Sequence, residues 1–232
     1  MDSDLKGTTV VVVGGSSGIG WSVAELAAKA GARVFALSRS GRAPEETTGV
    51  VADATDEAAM AVALEAMAEI HHLVFTAWAR QPTIPFPSLT STHLQPAFEA
   101  KLFAALRVLR LALPRLTPSA SITLTSGLVS RKYGIGSVLK GSVNAAVEAT
   151  GKHLAKELAP RRVNVVSPGV TDTALWGEPH SEKRREALAR AAATLPLRRV
   201  AAPEEVAGAY LFAMANPFLT GAVLDVDGGG LL

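Results

Sequence analysis

The chain contains no cysteine among its 232 residues. This absence excludes disulfide bonds, thiolate metal ligands and cysteine nucleophiles. Long apolar runs are also lacking, because no stretch approaches the ~20 residues that a membrane-spanning helix needs. The first residues have neither the basic region nor the apolar run of a secretory signal. We therefore expect a cytoplasmic protein with no membrane partner.

Neither sign of charge is in large excess. The 23 Lys and Arg residues are nearly balanced by 21 Asp and Glu residues, which leaves a formal net charge of +2. A protein that binds nucleic acid mainly through the phosphates has a strong basic excess, so we expect no nucleic-acid partner. The sequence also has no His-x-x-x-His pair and no carboxylate cluster, so we predict no metal site.

Short β-branched runs alternate with alanine-rich segments of helical period along the whole chain. The run VVVV at 10–13 has no polar alternation, which suits a strand that helices cover on both faces. Similar runs lie at 33–37, 49–52, 73–77, 121–125, 163–166 and 222–226. This pattern is typical of βαβ units. It predicts a single α/β domain over 1–232, a Rossmann-type doubly wound parallel sheet.

The helical segments are predicted at 21–30, 56–68, 93–113 and 138–158, with a last helix that begins at Pro203. A polar, arginine-rich stretch at 178–199 interrupts the alternation of strands and helices. We expect it to form a lid or substrate segment, within about 170–200, near the strand ends.

A glycine-rich turn, GGSSGIG at 14–20, follows the first predicted strand and leads into a helix. Glycine permits positive φ angles and lets the backbone approach a pyrophosphate without a Cβ atom in the way. The N–H groups at the helix start, with the helix dipole, bind phosphates. The alternative is a tight turn without a ligand. We predict that the dinucleotide-binding turn comprises Gly14, Ser16, Ser17, Gly18, Ile19 and Gly20.

The end of the second strand indicates which dinucleotide is bound. An acidic residue there accepts hydrogen bonds from the ribose hydroxyls and repels a 2′-phosphate. This chain instead has Ser38 and Arg39, with Ser40 and Arg42 close by. A guanidinium flanked by hydroxyls suits a 2′-phosphate, so NADP(H) is favoured over NAD(H). Asp53, after the third strand, is placed to accept from the adenine amino group, or else is a turn residue.

Five segments together resemble the short-chain dehydrogenase/reductase family over nearly the whole chain. They are the motif at 13–20, Asp53, LAKELAP at 154–160, VNVVSPG at 163–169 and VDGG at 226–229. The resemblance implies a seven-stranded parallel sheet and hydride transfer between a nicotinamide and a carbonyl or alcohol carbon. It also implies a homodimer or homotetramer paired through the helices at 93–113 and 138–158. The further cofactor-binding positions that it implies are Ala54, Thr76, Ala77, Pro168, Gly169, Val170 and Thr173.

The catalytic positions depart from the family pattern of Asn, Ser, Tyr and Lys. Ser126 matches the Ser, but Lys101 stands at the Asn position, Lys140 at the Tyr position and Asn144 at the Lys position. Lys101 and Asn144 have thus exchanged helices, so a site that needs one ammonium and one amide keeps both. Lys140 is then a candidate general acid, because the reference pKa of Lys, about 10.4, is close to that of Tyr, about 10.

Other residues compete for these roles. Tyr133, on the loop after Ser126, is an alternative proton donor. Arg131 and Lys132 on the same loop either stabilise an oxyanion, bind an anionic substrate or are solvated charges, and Asp172 could pair with one of them. Trp78, where the family has a glycine, either walls the pocket or packs under the proline-rich loop after it. The candidate substrate pocket comprises Trp78, Arg131, Tyr133 and Trp176.

The leading hypothesis is an NADP(H)-dependent oxidoreductase for a small carbonyl, alcohol or imine. Its rivals are a non-catalytic NADP(H)-binding sensor and a lysine-dependent catalyst of a non-redox reaction.

Overall fold

The computed structural model of the protein describes residues 4–78 and 81–232. Seven parallel strands form one sheet in the order β3-β2-β1-β4-β5-β6-β7. The predicted fold class is confirmed. The strands are β1 (Thr9–Val13), β2 (Arg33–Ser38), β3 (Thr48–Val51), β4 (Ile70–Phe75), β5 (Leu116–Thr125), β6 (Arg162–Pro168) and β7 (Val223–Val226).

Helices cover both faces of this sheet. They are α1 (Gly18–Lys29), α2 (Glu57–Glu65), α3 (Ser91–Phe98), α4 (Ala104–Ala112), α5 (Val138–Glu157), α6 (Glu182–Thr194) and α7 (Pro203–Ala215). Successive residues of β1 explain the two layers, since side chains alternate along a strand. Val10 and Val12 pack in the core with α1 and α7, whereas Val11 and Val13 pack with α2, α4 and α5.

The predicted helix at 93–113 is divided into three parts. Helix α3 ends at Phe98, a π-helical turn covers Glu99–Phe103, and α4 begins at Ala104. A π-helical turn inserts one extra residue into a helix and is frequent at functional sites. Lys101 lies in this turn and is buried.

The polar stretch after β6 has more structure than the sequence pattern predicts, because it contains α6. A parallel bridge between Thr171 and Ala201 closes the base of the segment. Arg184 ties it down, since Nε and Nη2 donate to Asp172 Oδ1 at 3.0 and 2.6 Å. Its role as a lid stays a prediction. Within 4–78 and 81–232, no helix combines the length and apolar character needed to cross a membrane.

We predict that Tyr210→Phe lowers the free energy of unfolding by about 1 kcal/mol, because it removes a buried hydrogen bond. Tyr210 on α7 is fully buried and its hydroxyl lies 2.7 Å from Thr125 Oγ1, which itself donates to Phe75 O. Urea denaturation measures the change. Tyr133→Phe is the matched control, because Tyr133 is 88% exposed. Equal stability of the two variants would contradict this account.

Candidate active site

The predicted site residues converge at the carboxyl edge of the sheet. The chain leaves β1 towards β2 on one side and returns to β4 on the other, which opens a crevice where the strand order reverses. Ligands of open α/β sheets bind in such a crevice. The turn after β1, residues 76–78 after β4, Ser126 after β5 and Gly169 after β6 all lie at this edge.

The glycine turn needs its glycines for close backbone packing. Gly14 has a φ of +94°, and a Cβ atom at Gly20 would lie 2.2 Å from the Gly14 carbonyl oxygen. Ser17 is the N-cap of α1 but makes no side-chain cap hydrogen bond, and the first turn has no acidic residue. The unpaired N–H groups and positive dipole end of α1 therefore suit an external anion.

Three of the implied cofactor positions adjoin this turn. Thr76 Oγ1 donates to Val13 O at 3.1 Å, and a Cβ atom on Gly14 would lie 2.6 Å from Ala77 N. Thr173 approaches from the other side of the crevice, since its Cγ2 would lie 3.1 Å from a Cβ atom on Gly18. The glycine turn thus lies between the carboxyl end of β4 and the segment that follows β6.

Neighbouring positions have mainly packing or backbone contacts. Gly169 N donates to Val226 O at 2.9 Å, and Val170 O accepts from Ala201 N at 3.0 Å. The half-buried Pro168 is the last residue of β6. Ile19 packs against the core on the α1 and α7 face, and Ala54 packs on the opposite face.

The end of β2 presents positive charge beside hydroxyl groups. Ser38 Oγ accepts from Gly41 N at 3.1 Å and lies 3.4 Å from Ser40 Oγ. Arg39 is exposed. The Arg42 guanidinium lies 5.9 Å from the centre of the Trp21 ring. The end of β2 therefore carries two guanidinium groups and two hydroxyl groups close together in the chain.

Asp53 is engaged in a turn. Its Oδ1 accepts from Thr55 N at 2.9 Å and from Thr55 Oγ1 at 2.8 Å. These hydrogen bonds, the backbone one first, lower the pKa of the Asp53 carboxyl, and the charge of Arg39 lowers it further. Asp53 is therefore a turn residue, as one of the two alternatives predicts. Both of these hydrogen bonds use Oδ1, so the binding of adenine through Oδ2 stays a prediction.

Lys101 is the central polar group of the site. It is 4% exposed, and its Nζ donates to Asn144 Oδ1 at 2.6 Å and to Ser126 O at 2.9 Å. The same Nζ lies 4.3 Å from the centre of the Trp78 ring. A protonated lysine has three donors and no acceptor, so the two oxygens take two of its hydrogens, and the ring lies within cation–π distance of the nitrogen. The structure thus brings together the two residues that the sequence comparison describes as exchanged.

The orientation of the Asn144 amide follows from this contact. Because the ammonium only donates, Asn144 must present Oδ1 to Lys101. The amide nitrogen then lies beside Gly127, where Nδ2 would be 3.1 Å from a Cβ atom. A side chain at residue 127 would press on this amide, so glycine leaves room for it.

Ser126 has a partner that the sequence analysis missed. Its Oγ donates to Glu148 Oε1 at 2.9 Å, and Ser130 Oγ donates to the same oxygen at 2.6 Å. Arg131 lies beside this carboxylate and also binds Asp225, with Nη1 at 2.8 Å from Oδ2. Helical spacing could have revealed Glu148, since residues 140, 144 and 148 share one face of α5.

The remaining candidates lie further from this cluster. Lys140 Nζ donates to Thr83 Oγ1 at 2.8 Å, and Tyr133 is 88% exposed. Trp176 Nε1 donates to Thr171 O at 3.0 Å. Trp78 packs with Phe98 and the buried residues of α3 and α5, and its place in the substrate pocket stays a prediction. Arg131 pairs with Glu148 and Asp225, whereas Asp172 pairs with Arg184. Arg131 is therefore not a solvated charge, and its action on an oxyanion or anionic substrate stays a prediction.

We predict that exchanging Lys101 and Asn144 restores stability that each single change removes. Asn144→Lys places two ammonium groups together in a buried site, and Lys101→Asn leaves two amides without the ammonium. The double variant again pairs one ammonium with one amide. Urea unfolding of the four proteins should show a favourable coupling energy of about 1–3 kcal/mol between the two substitutions. Purely additive losses would contradict the pairing.

We also predict that stability depends on pH through Lys101. Burial lowers the pKa of Lys101 from its ordinary value of 10.5 to about 7, although the charge of Glu148 acts in the opposite direction. Between these values the unfolded chain binds more protons than the folded one, so the free energy of unfolding rises with pH. The stability of the native chain relative to Lys101→Met should therefore be greater at about pH 9 than at about pH 6. Lys152→Met, at an exposed position of α5, is the control, and an unchanged difference would refute this prediction.

Comparison with known proteins agrees with this geometry. The family model described as enoyl-(acyl carrier protein) reductase matches residues 13–230. The short-chain dehydrogenase/reductase ATR9 of Stachybotrys chlorohalonatus is 32% identical over 252 residues, covering 98% of both chains. The 3-oxoacyl-[acyl-carrier-protein] reductase MabA of Mycobacterium bovis is 30% identical over 231 residues, covering 95% of this chain and 92% of that protein.

A solved structure described as a small-chain dehydrogenase in complex with NADPH has a TM-score of 0.88 and 38% identity to this chain. The match covers 97% of this chain and 98% of the other. The fold, the family model and these relatives together show that the chain belongs to the short-chain dehydrogenase/reductase family of oxidoreductases.

Proposed function

We propose that the protein is an NADP(H)-dependent oxidoreductase that acts on a small carbonyl or alcohol, or on an imine, with a divergent catalytic set. The observation that carries the proposal is the buried Lys101–Asn144 pair beside Ser126. A site that had merely lost its function would not need a lysine whose ammonium is paired with two oxygens at 4% exposure, because burying a charge is costly.

The nucleotide fits residues of this crevice. The uncapped N-terminus of α1, with Gly14, Ser16, Ser17, Gly18 and Gly20, would bind the pyrophosphate. Arg39 and Ser38 would bind a 2′-phosphate at the adenosine end. Thr173 and the backbone after Pro168 would hold the nicotinamide, which supplies or accepts the hydride. The solved relative in complex with NADPH supports this assignment.

The catalytic residues divide the remaining work between them. In the reducing direction Lys140 donates a proton from Nζ to the substrate oxygen, and Lys140 becomes a neutral amine. Lys101 holds the Asn144 amide and the Ser126 backbone and thereby fixes the floor of the pocket. Trp78, Trp176 and the segment at 170–200 line or cover the substrate. We further propose a cytoplasmic homodimer or homotetramer, in which the apolar surface at Phe103 and Leu106 is covered.

The rival function is an NADP(H)-binding sensor without turnover. Two observations favour it. Lys140 donates a hydrogen bond to Thr83, and the alternative donor Tyr133 is exposed. Both functions require nucleotide binding, but only the enzyme turns over a substrate. A turnover assay on protein that binds the nucleotide therefore separates them.

Calorimetric titration should show tighter binding of NADPH than of NADH. We predict that Arg39→Ala weakens NADPH binding by about tenfold to a hundredfold and leaves NADH binding unchanged, as expected when charge-assisted bonds to a 2′-phosphate are lost. Arg110→Ala, on the exposed face of α4, should leave both affinities unchanged. Equal affinities for the two nucleotides would contradict the assignment of Arg39, and no binding of either would overturn the proposed function.

Turnover of NADPH with a panel of aldehydes, cyclic ketones and cyclic imines tests the catalytic step. We predict that Lys140→Met lowers kcat by about a hundredfold or more without weakening NADPH binding, because it removes the proton donor. Lys152→Met is the matched control on the same helix. Full activity of the Lys140→Met variant would exclude Lys140 as the donor, and binding without any turnover would support the sensor.

A further inference from the structure

Glu148 is a buried acceptor that the proposed reaction does not use. Its side chain is 13% exposed, and Oε1 accepts from Ser126 Oγ at 2.9 Å and from Ser130 Oγ at 2.6 Å. Arg131 Nε lies 3.3 Å from the other carboxylate oxygen. Three donors from the strand end and the following turn therefore converge on one carboxylate of α5.

Arg131 is itself fixed on the far side. Its guanidinium forms two hydrogen bonds with the Asp225 carboxylate on β7, one of them 2.8 Å long, and Nη2 lies 3.3 Å from Ser167 Oγ. Arg131 therefore cannot move away from Glu148 unless its ion pair with Asp225 also breaks. The network therefore holds the Glu148 carboxylate against Ser126.

The hydrogen bond to Glu148 decides what Ser126 offers to a substrate. A serine hydroxyl has one hydrogen and two lone pairs. Because the hydrogen of Ser126 points to Glu148, its oxygen presents only acceptor lone pairs to any other group. Such an oxygen repels a bare carbonyl oxygen and accepts from a group that carries hydrogen.

We propose that Glu148 is a positioning residue that makes Ser126 an acceptor for the hydroxyl of the alcohol form of the substrate. This inference rests on the proposed function. In the reducing step a bound nicotinamide would supply a hydride to the carbonyl carbon and would itself be oxidised. The electrons of the C=O π bond would go to the oxygen, which would take a proton from Lys140 and leave Lys140 a neutral amine. The new hydroxyl would then donate a hydrogen bond to Ser126.

The substitution Glu148→Leu tests the proposal because it removes the acceptor that takes the Ser126 hydrogen. Arg131 Nη2 also donates to Oε1 at 3.4 Å, the same oxygen that accepts from Ser126. An amide at residue 148 would therefore have no single orientation, whereas leucine offers no acceptor and Ser126 regains a free hydrogen. The probe is the panel ketone with the highest turnover, cyclohexanone being tested first, together with its own alcohol as product inhibitor.

We expect Glu148→Leu to raise the inhibition constant of the alcohol by about threefold to tenfold, with the KM of the ketone unchanged or lowered. Ser126→Ala should raise the alcohol constant similarly, and adding Glu148→Leu to it should have no further effect. Glu157→Leu, exposed at the end of the same helix, should change neither constant.

Equal changes in the alcohol and ketone constants would overturn the proposal, as would additive effects of the two substitutions. If thermal melting shows that Glu148→Leu does not fold, the Ser126→Ala variant alone tests the proposal. A selective loss of alcohol binding then supports the proposal, and an equal loss of alcohol and ketone binding contradicts it. Absence of turnover by the native chain with every panel compound would overturn the proposed function, and this inference with it.

Discussion

The buried Lys101 side chain makes the hydrogen bonds on which the architecture of the site depends. It joins three elements, because Lys101 comes from the π-helical turn before α4, Ser126 from the end of β5 and Asn144 from α5. Moving an ammonium out of water costs several kcal/mol unless its hydrogens are bonded. Two oxygens and the face of Trp78 supply those partners. The hydrogen bonds of one buried side chain therefore constrain the positions of all three elements.

A second set of charges lies beside the first and gives the site alternating polarity. Glu148 is one helical turn from Asn144 on α5, and it faces Arg131, which faces Asp225. The Lys101–Asn144 pair is not hydrogen-bonded directly to Glu148, Arg131 or Asp225. The negative charge of Glu148 nevertheless favours the protonated form of Lys101. Substitutions in one set should therefore alter the electrostatics of the other.

The strands and the parallel sheet could be predicted because buried β-branched runs and the glycine turn are local signals. The proximity of Lys101 and Asn144 could also be predicted, since it followed from aligning two helices with the family pattern. The π-helical turn could not, because an i→i+5 hydrogen bond leaves no periodic mark over five residues. The partners of Ser126 and Arg131 depend on side-chain directions in three dimensions, so Glu148 and Asp225 were missed. Helix α6 was missed because its polar sequence has no apolar face to reveal it.

Under the proposed function, hydride transfer takes place at a site in which Lys140 stands at the family's tyrosine position. The most direct test is incubation of the native protein with NADPH deuterated at C4 of the nicotinamide, in separate samples for the two faces, and the carbonyl panel. Mass spectrometry of the products then locates the label. We expect deuterium on the former carbonyl carbon of at least one alcohol or amine product, from one face only. NADPH binding with unlabelled products from both samples would contradict the account.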